Sequence, residues 1–252
     1  MLPVDLFADH QGLLWLITVM LDLGLAVLCY RLFGRTGLYG VVIFSLLLAN
    51  ILGPKLTVIG GLQTSMGVIL YSSIFFATDL LSEKYGRAEA QKAVLLGFFV
   101  SVALVIMTQL SLLYQPTTAE ETSEFARKVN EATQTLFNMT PRFVFGSLLA
   151  YLLSQSFDVW VFHRIRNATG GKHLWLRNTG STLLSQAVDT LIYGLVVWWG
   201  IVDLVTALQL AAAKYVFKFL IAVIDTPFIY WARSWKRSES NQAGPLHPPD
   251  VR

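Results

Sequence analysis

The sequence predicts an all-α, polytopic membrane bundle of six to seven transmembrane helices, and three observations predict it. Apolar residues make up 54% of the 252-residue chain and charged residues only 14%, far from the balance of a soluble domain of this length. The apolar residues gather in runs of membrane-crossing length, separated by short polar turns. Lys and Arg fall unevenly on alternate turns, the pattern of a topology signal.

In chain order, the first span is Leu13 to Tyr30, with Asp22 inside it. The acidic start before it, with Asp5 and Asp9, lacks the basic region and small-residue cleavage site of a signal peptide. The second span is Leu38 to Leu52, with Asn50 near its end, followed by Gly53-Pro54-Lys55 and the turn Gly60-Gly61. The third, about Leu62 to Tyr85, and the fourth, about Glu89 to Tyr114, form a hairpin around which the chain is organised. Asp79 and Glu83 are one helical turn apart on one face. Gly86 stands where a helix end favours a left-handed residue, and Glu89 in the first turn of the next helix, where the dipole favours an anion.

Residues 115–140 are the long polar connector between spans. Phe125, Val129 and Ala132 recur there at helical spacing, which fits either an amphipathic helix lying on a surface or an ordinary solvated connector. The fifth span starts at Pro141, a good first-turn residue, and runs to Phe162. A basic loop with Arg164, Arg166, Lys172 and Arg177 follows, then a sixth span from Gly180 to Gly200 and a seventh from Thr206 to Trp231, with Pro227 expected to kink it. Residues 1–233 thus read as a single transmembrane domain and 234–252 as a disordered polar tail.

Sorting the 19 Lys and Arg residues by alternate loops puts Arg31, Arg35, Lys84, Arg87, Lys92 and most others on one side. Only Lys55, Arg127, Lys128 and Arg142 fall on the other, with Lys214 and Lys218 inside a span. The basic side belongs in the cytoplasm, which gives an outside N-terminus and a cytoplasmic C-terminus over seven spans, or six if the first run does not cross. The net charge of +3 therefore reflects topology, and a nucleic-acid role is not expected. The lone Cys29 excludes an internal disulfide. His10, His163, His173 and His247 lack ligand spacing, and no nucleophile elbow, His-Glu-x-x-His or phosphate loop is present, so neither metal, cofactor nor catalysis is expected.

Charges inside spans cost about 2.5–3.5 kcal/mol each, so they need a partner or a task. The set comprises Asp22, Asp79, Glu83, Asp158, Asp189, Lys214, Lys218 and Asp225. Two members close a repeated pattern, Ser154-Gln155-Ser-Phe-Asp158 and Ser185-Gln186-Ala-Val-Asp189, which puts a hydroxyl, an amide and a carboxylate on one face of each helix. The helices are consecutive and antiparallel, so these faces can meet, as functional lining or as packing glue. Lys218 and Asp225 lie about 10 Å apart along one helix, so each looks to another helix. Asp79, Asp158 and Asp189 are the partners open to Lys218.

Several stretches carry a resemblance: Thr78-Asp79 through Glu83-Lys84-Tyr85-Gly86, Phe157-Asp158 through Phe162-His163, Leu174-Trp175 through Arg177-Asn178 and Ser181, and Ser185-Gln186 through Asp189-Thr190. Together, between Asn50 and Trp231, they resemble the bacterial queuosine precursor transporter family, also called the vitamin uptake transporters. The resemblance implies a non-enzymatic, multi-pass inner-membrane protein that imports 7-cyano-7-deazaguanine and 7-aminomethyl-7-deazaguanine. It leaves the oligomeric state open, a homodimer included.

For such a ring, a carboxylate accepting both N1–H and the exocyclic amine suits the guanine-like edge. The expected substrate-binding set is Asp189, Asp158, Asp79 and Glu83, the amides Gln186, Gln155 and Asn50, and the aromatics Phe75 and Trp160, with Phe76 and Phe157 beside them. Asp189 is placed nearest the midplane and is expected to form the fork. Lys218, Lys214 and Asp225 are expected as charge partners. The principal alternative is a substrate-binding subunit of an energy-coupling-factor ABC importer, although Leu13 to Tyr30 shows no Ala-x-x-x-Ala docking face. An intramembrane enzyme using a carboxylate pair is a third.

Overall fold

The computed structural model describes residues 10–138, 141–198, 200 and 203–235. The acidic start with Asp5 and Asp9 and the expected tail beyond residue 235, with His247, lie outside the described residues. Among the described residues seven α-helices follow one another: α1 (Gln11–Leu52), α2 (Gly67–Lys84), α3 (Arg87–Ser111), α4 (Ser123–Phe137), α5 (Pro141–Ala168), α6 (Leu174–Tyr193) and α7 (Leu204–Ser234). A five-residue π-helical turn, Gly194–Trp198, extends α6.

α1 is two helical arms. Gly34 has φ 58° and ψ −133°, a combination that an L side chain adopts only under strain and glycine adopts freely. Asp22 Oδ2 accepts from Ser72 Oγ and the Ser73 backbone N–H, while Ser45 Oγ meets Ser73 Oγ at 2.7 Å. In a straight helix Asp22 and Ser45 would be about 35 Å apart, so the arms must fold back on each other at Gly34. The 11–33 and 35–52 arms correspond to the first two expected spans.

Two elements depart from the expectations. The expected all-α chain contains a small antiparallel hairpin, β1 (Leu56–Ile59) and β2 (Leu62–Ser65), paired Leu56 to Ser65 and Ile59 to Leu62. Gly60 and Gly61, both at positive φ, make its two-residue turn. The third span therefore starts at Gly67 and not at Leu62. The expected basic loop is mostly helix: Arg164 and Arg166 lie in the last turns of α5, and Arg177 lies in the first turn of α6, fully buried. The amphipathic segment is a helix, α4, with Phe125 and Val129 exposed.

α2 is the central helix. Nearly all of its residues from Gly67 to Ser82 are buried, and α1, α3, α5 and α7 all pack on it. A helix buried all round needs no apolar stripe. The outside of the bundle is apolar instead: Leu21, Leu25, Phe99, Met107, Leu208 and Val223 are exposed. Buried Asp, Gln, Ser and Lys inside and exposed Leu and Phe outside match a lipid solvent. Gln11–Leu52, Arg87–Ser111, Val144–Ala168 and Ala207–Ser234 are each long and apolar enough to cross a membrane. The chain is an α-helical membrane bundle.

Candidate functional site

Contacts gather Arg35, Lys84, Arg166, Arg177 and Arg233 at one end of the bundle. Arg35 pairs with Glu89 at 3.2 Å, Arg166 donates to the Ser82 carbonyl, and Lys84 donates to the Trp235 carbonyl. Arg177 forks onto Glu83, with Nε to Oε2 at 3.1 Å and Nη2 to Oε1 at 2.8 Å, and Arg233 reaches the same carboxylate at 2.9 Å. This ties α2, α6 and α7 together at Arg177, which the sequence places in a basic loop. Nη1 of Arg177 also bonds the Gly171 and Lys172 carbonyls, so the buried guanidinium is well satisfied.

A cavity of about 410 Å³ lies at the opposite end. Asn50 and Gly53 from the end of α1, Gln63 and Ser65 from β2, Tyr71 from the start of α2, and Thr135 from α4 surround its outer part. Asp189, Tyr193, Lys214 and Lys218 line it from α6 and α7. The hairpin thus has a positional use: it carries Gln63, Thr64 and Ser65 to the cavity. Lys218 Nζ lies 2.5 Å from Asp189 Oδ2, the two side chains being 5% and 10% exposed. Lys218 and Lys214 also sit over the rings of Tyr71 and Tyr193, at 5.6 and 3.8 Å from the centroids. The result is an aromatic-walled, two-lysine, one-aspartate chamber, suited to a small, flat, polar ligand.

Of the expected binding residues, Asp189 and Asn50 line this cavity, and so do Lys214 and Lys218. The remaining residues of that set lie elsewhere. Asp79, Asp158 and Gln155 are fully buried deeper in the bundle. The two repeated Ser-Gln-x-x-Asp faces do meet: Ser185 Oγ of the second donates to Asp158 Oδ1 of the first at 2.9 Å. Gln186 is buried with its Oε1 unpartnered, and Gln155 Oε1 accepts from Thr78. Glu83 is in the arginine network at the basic end. Phe75 is buried away from the cavity, and Trp160 is exposed, stacked on Phe157 under the Arg164 guanidinium. Asp225 turns to Asn178 Nδ2 at 2.9 Å and to neither lysine.

Tyr71, Tyr193 and Gln63 line the cavity but lie outside the binding set expected from the sequence. Tyr193 lies one turn beyond Asp189 on the same face, which is a usable signal. Gln63 had none, because its segment reads as the start of a span.

An apolar-skinned helix bundle, with a charged cavity running from one end into its interior, has an architecture that membrane transport proteins use. Residues 65–232 match the family described as putative vitamin uptake transporter, and the chain belongs to that family. It is 37% identical to the probable queuosine precursor transporter of Bacillus subtilis strain 168, over 87% of this chain and 93% of that protein. It is 30% identical to the queuosine precursor transporter of Escherichia coli K12, over 65% of this chain and 70% of that one. The probable queuosine precursor transporter of Haemophilus influenzae Rd is 28% identical over 68% of this chain and 70% of its own. No solved structure matches.

Proposed function

We propose that this chain imports the queuosine precursors 7-cyano-7-deazaguanine and 7-aminomethyl-7-deazaguanine across the bacterial inner membrane by alternating access. The observation that carries this is Asp189, a nearly buried carboxylate inside a cavity walled by Tyr71 and Tyr193. A 7-deazaguanine presents N1–H and an exocyclic amine side by side, and a carboxylate accepts both. The tyrosine rings offer faces for the flat heterocycle, and Lys214 and Asn50 offer donors for its carbonyl. The names of the relatives agree with this substrate class.

With the basic end in the cytoplasm, as the positive-inside rule requires, the chain crosses seven times, the two arms of α1 counting as two. The cavity then faces outward, and the Glu83, Arg177 and Arg233 network closes the cytoplasmic end. Import by alternating access consists of opening that network while the cavity closes.

The test is precursor-dependent restoration of queuosine in the tRNA of cells that neither make nor import the precursors. The host should also lack energy-coupling-factor ABC subunits. Restoration there supports a self-sufficient transporter. Restoration only when such subunits are supplied moves the chain to the alternative, a binding subunit of an ABC importer.

A further inference from the structure

Below the cavity, toward the basic end, lies a second polar cluster that plays no part in the binding just described. Asp79 on α2, Asp158 on α5 and Asp225 on α7 are 0, 0 and 1% exposed. The carboxyls of Asp79 and Asp158 lie beside each other. Two ionised carboxylates side by side and out of water repel each other, and one proton held by the pair removes that cost. Among the described residues no N–H or hydroxyl donates to either oxygen of Asp79, and one oxygen each of Asp158 and Asp225 is likewise unpartnered. Other buried polar atoms beside them also lack partners: Ser82 Oγ, Gln155 Nε2 and Thr182 Oγ1. So many unsatisfied groups in a membrane interior are costly unless the cluster has an occupant.

Among the described residues, no Lys or Arg pairs with any of these three acids. On α2, Glu83 is taken by Arg177 of α6 and Arg233 of α7. On α6, Ser181 and Ser185 face Asp158, and Asn178 faces Asp225. On α7, Lys218 is committed to Asp189. α1 and α3 direct their charges elsewhere: Asp22 to Ser72 and Ser73, and Arg35 and Lys92 to Glu89. α6 links this cluster to the cavity, because Asn178, Ser185 and Asp189 lie on one stripe. Ser185 bonds Asp158, and Asp189, one turn on, holds Lys218 in the cavity.

We propose that the Asp79–Asp158 carboxyl pair, with Asp225 behind it, is the proton-binding site that couples import to the transmembrane proton gradient. It rests on import as proposed above. In the outward-facing state the pair shares one proton taken from external water through the cavity. When the bundle opens at the Glu83 end, the O–H bond to that proton breaks and the proton leaves to cytoplasmic water with the substrate. The carboxylate pair regains a proton from outside on its return. One proton crosses with each substrate, and nothing is oxidised or reduced.

The experiment uses the full chain in liposomes and radiolabelled 7-cyano-7-deazaguanine. Two assays are run: exchange of label against internal unlabelled compound, and accumulation driven by an acidic exterior. The wild type should do both, while Asp79→Asn and Asp158→Asn should keep exchange and lose accumulation. Wild-type exchange without gradient-driven accumulation overturns the proton site while leaving import intact, and so does normal accumulation by both variants. Absence of wild-type exchange overturns import itself. If neither variant survives purification, wild-type liposomes with a trapped pH dye decide: the lumen must acidify as substrate enters down its own gradient, and an unchanged lumen overturns the proposal.

Discussion

At the scale of single residues, the Asp189–Lys218 pair couples stability to recognition. Removing one member of a buried ion pair strands the other, at about 3–5 kcal/mol, whereas removing both is far cheaper. Lys218→Met should therefore lower the thermal stability of the purified protein, and Asp189→Asn in that background should restore most of it. No recovery in the double variant would mean that Lys218 depends on something else. Binding should behave differently. Asp189→Asn replaces an acceptor oxygen with a donor facing the substrate amine, a loss of about 1.5–3 kcal/mol for a charged hydrogen bond. The purified variant should then bind 7-cyano-7-deazaguanine about tenfold more weakly or worse while remaining folded. Normal binding by Asp189→Asn, with binding abolished in Asp158→Asn or Glu83→Gln, would transfer the role to one of those residues. That Lys218 needs an acidic partner is legible in the sequence, because an ammonium in a span is costly alone. Which aspartate it meets is not, because three are within reach and the rotation of each helix decides among them.

At the scale of elements, the helices were legible and their junctions were not. Runs of apolar residues fix the existence of each span, and Gly86 does take positive φ between α2 and α3. The β-hairpin was hidden because Leu62 continues visually into the apolar run of α2, although Leu56-Thr57-Val58-Ile59 before Gly60-Gly61 is a strand-and-turn signature. Arg177 was hidden for an electrostatic reason: a basic residue near a membrane edge reads as loop unless its carboxylate is known, and Glu83 lies on a helix distant in sequence. The fold-back of α1 gives an element-scale prediction. Gly34 holds φ 58° and ψ −133°, so Gly34→Ala should cost about 1–3 kcal/mol of backbone strain. Gly40→Ala, six residues on in a regular helix with open space around the added methyl, should be tolerated. Equal thermal stability of the two variants would mean that the reversal does not rest on Gly34.

At the scale of the whole molecule, most of the arginines gather at the end away from the cavity, which makes orientation testable. Arg31, Arg35, Arg166, Arg177 and Arg233 all make contacts at one end. The cavity, β1, β2 and the end of α1 are at the other. In the orientation proposed above, cytoplasmic retention of Lys and Arg puts the cavity mouth outside. Cys29 is the sole cysteine, and its thiol is half-buried beside the Gly37 carbonyl at 3.5 Å, so Cys29→Ser gives a background in which single cysteines report their own surroundings. In that background Thr118→Cys, in the exposed segment before α4, and Gln63→Cys, exposed on β2 at the cavity, should react with a membrane-impermeant maleimide added to intact cells. Asn167→Cys, exposed near the end of α5, should react only after the membrane is opened. Labelling of Asn167→Cys in intact cells, with protection of Thr118→Cys, would invert the molecule and turn the cavity toward the cytoplasm. Labelling of Thr118→Cys with protection of Gln63→Cys would keep the orientation but mean that the cavity is closed to the outside in the resting state.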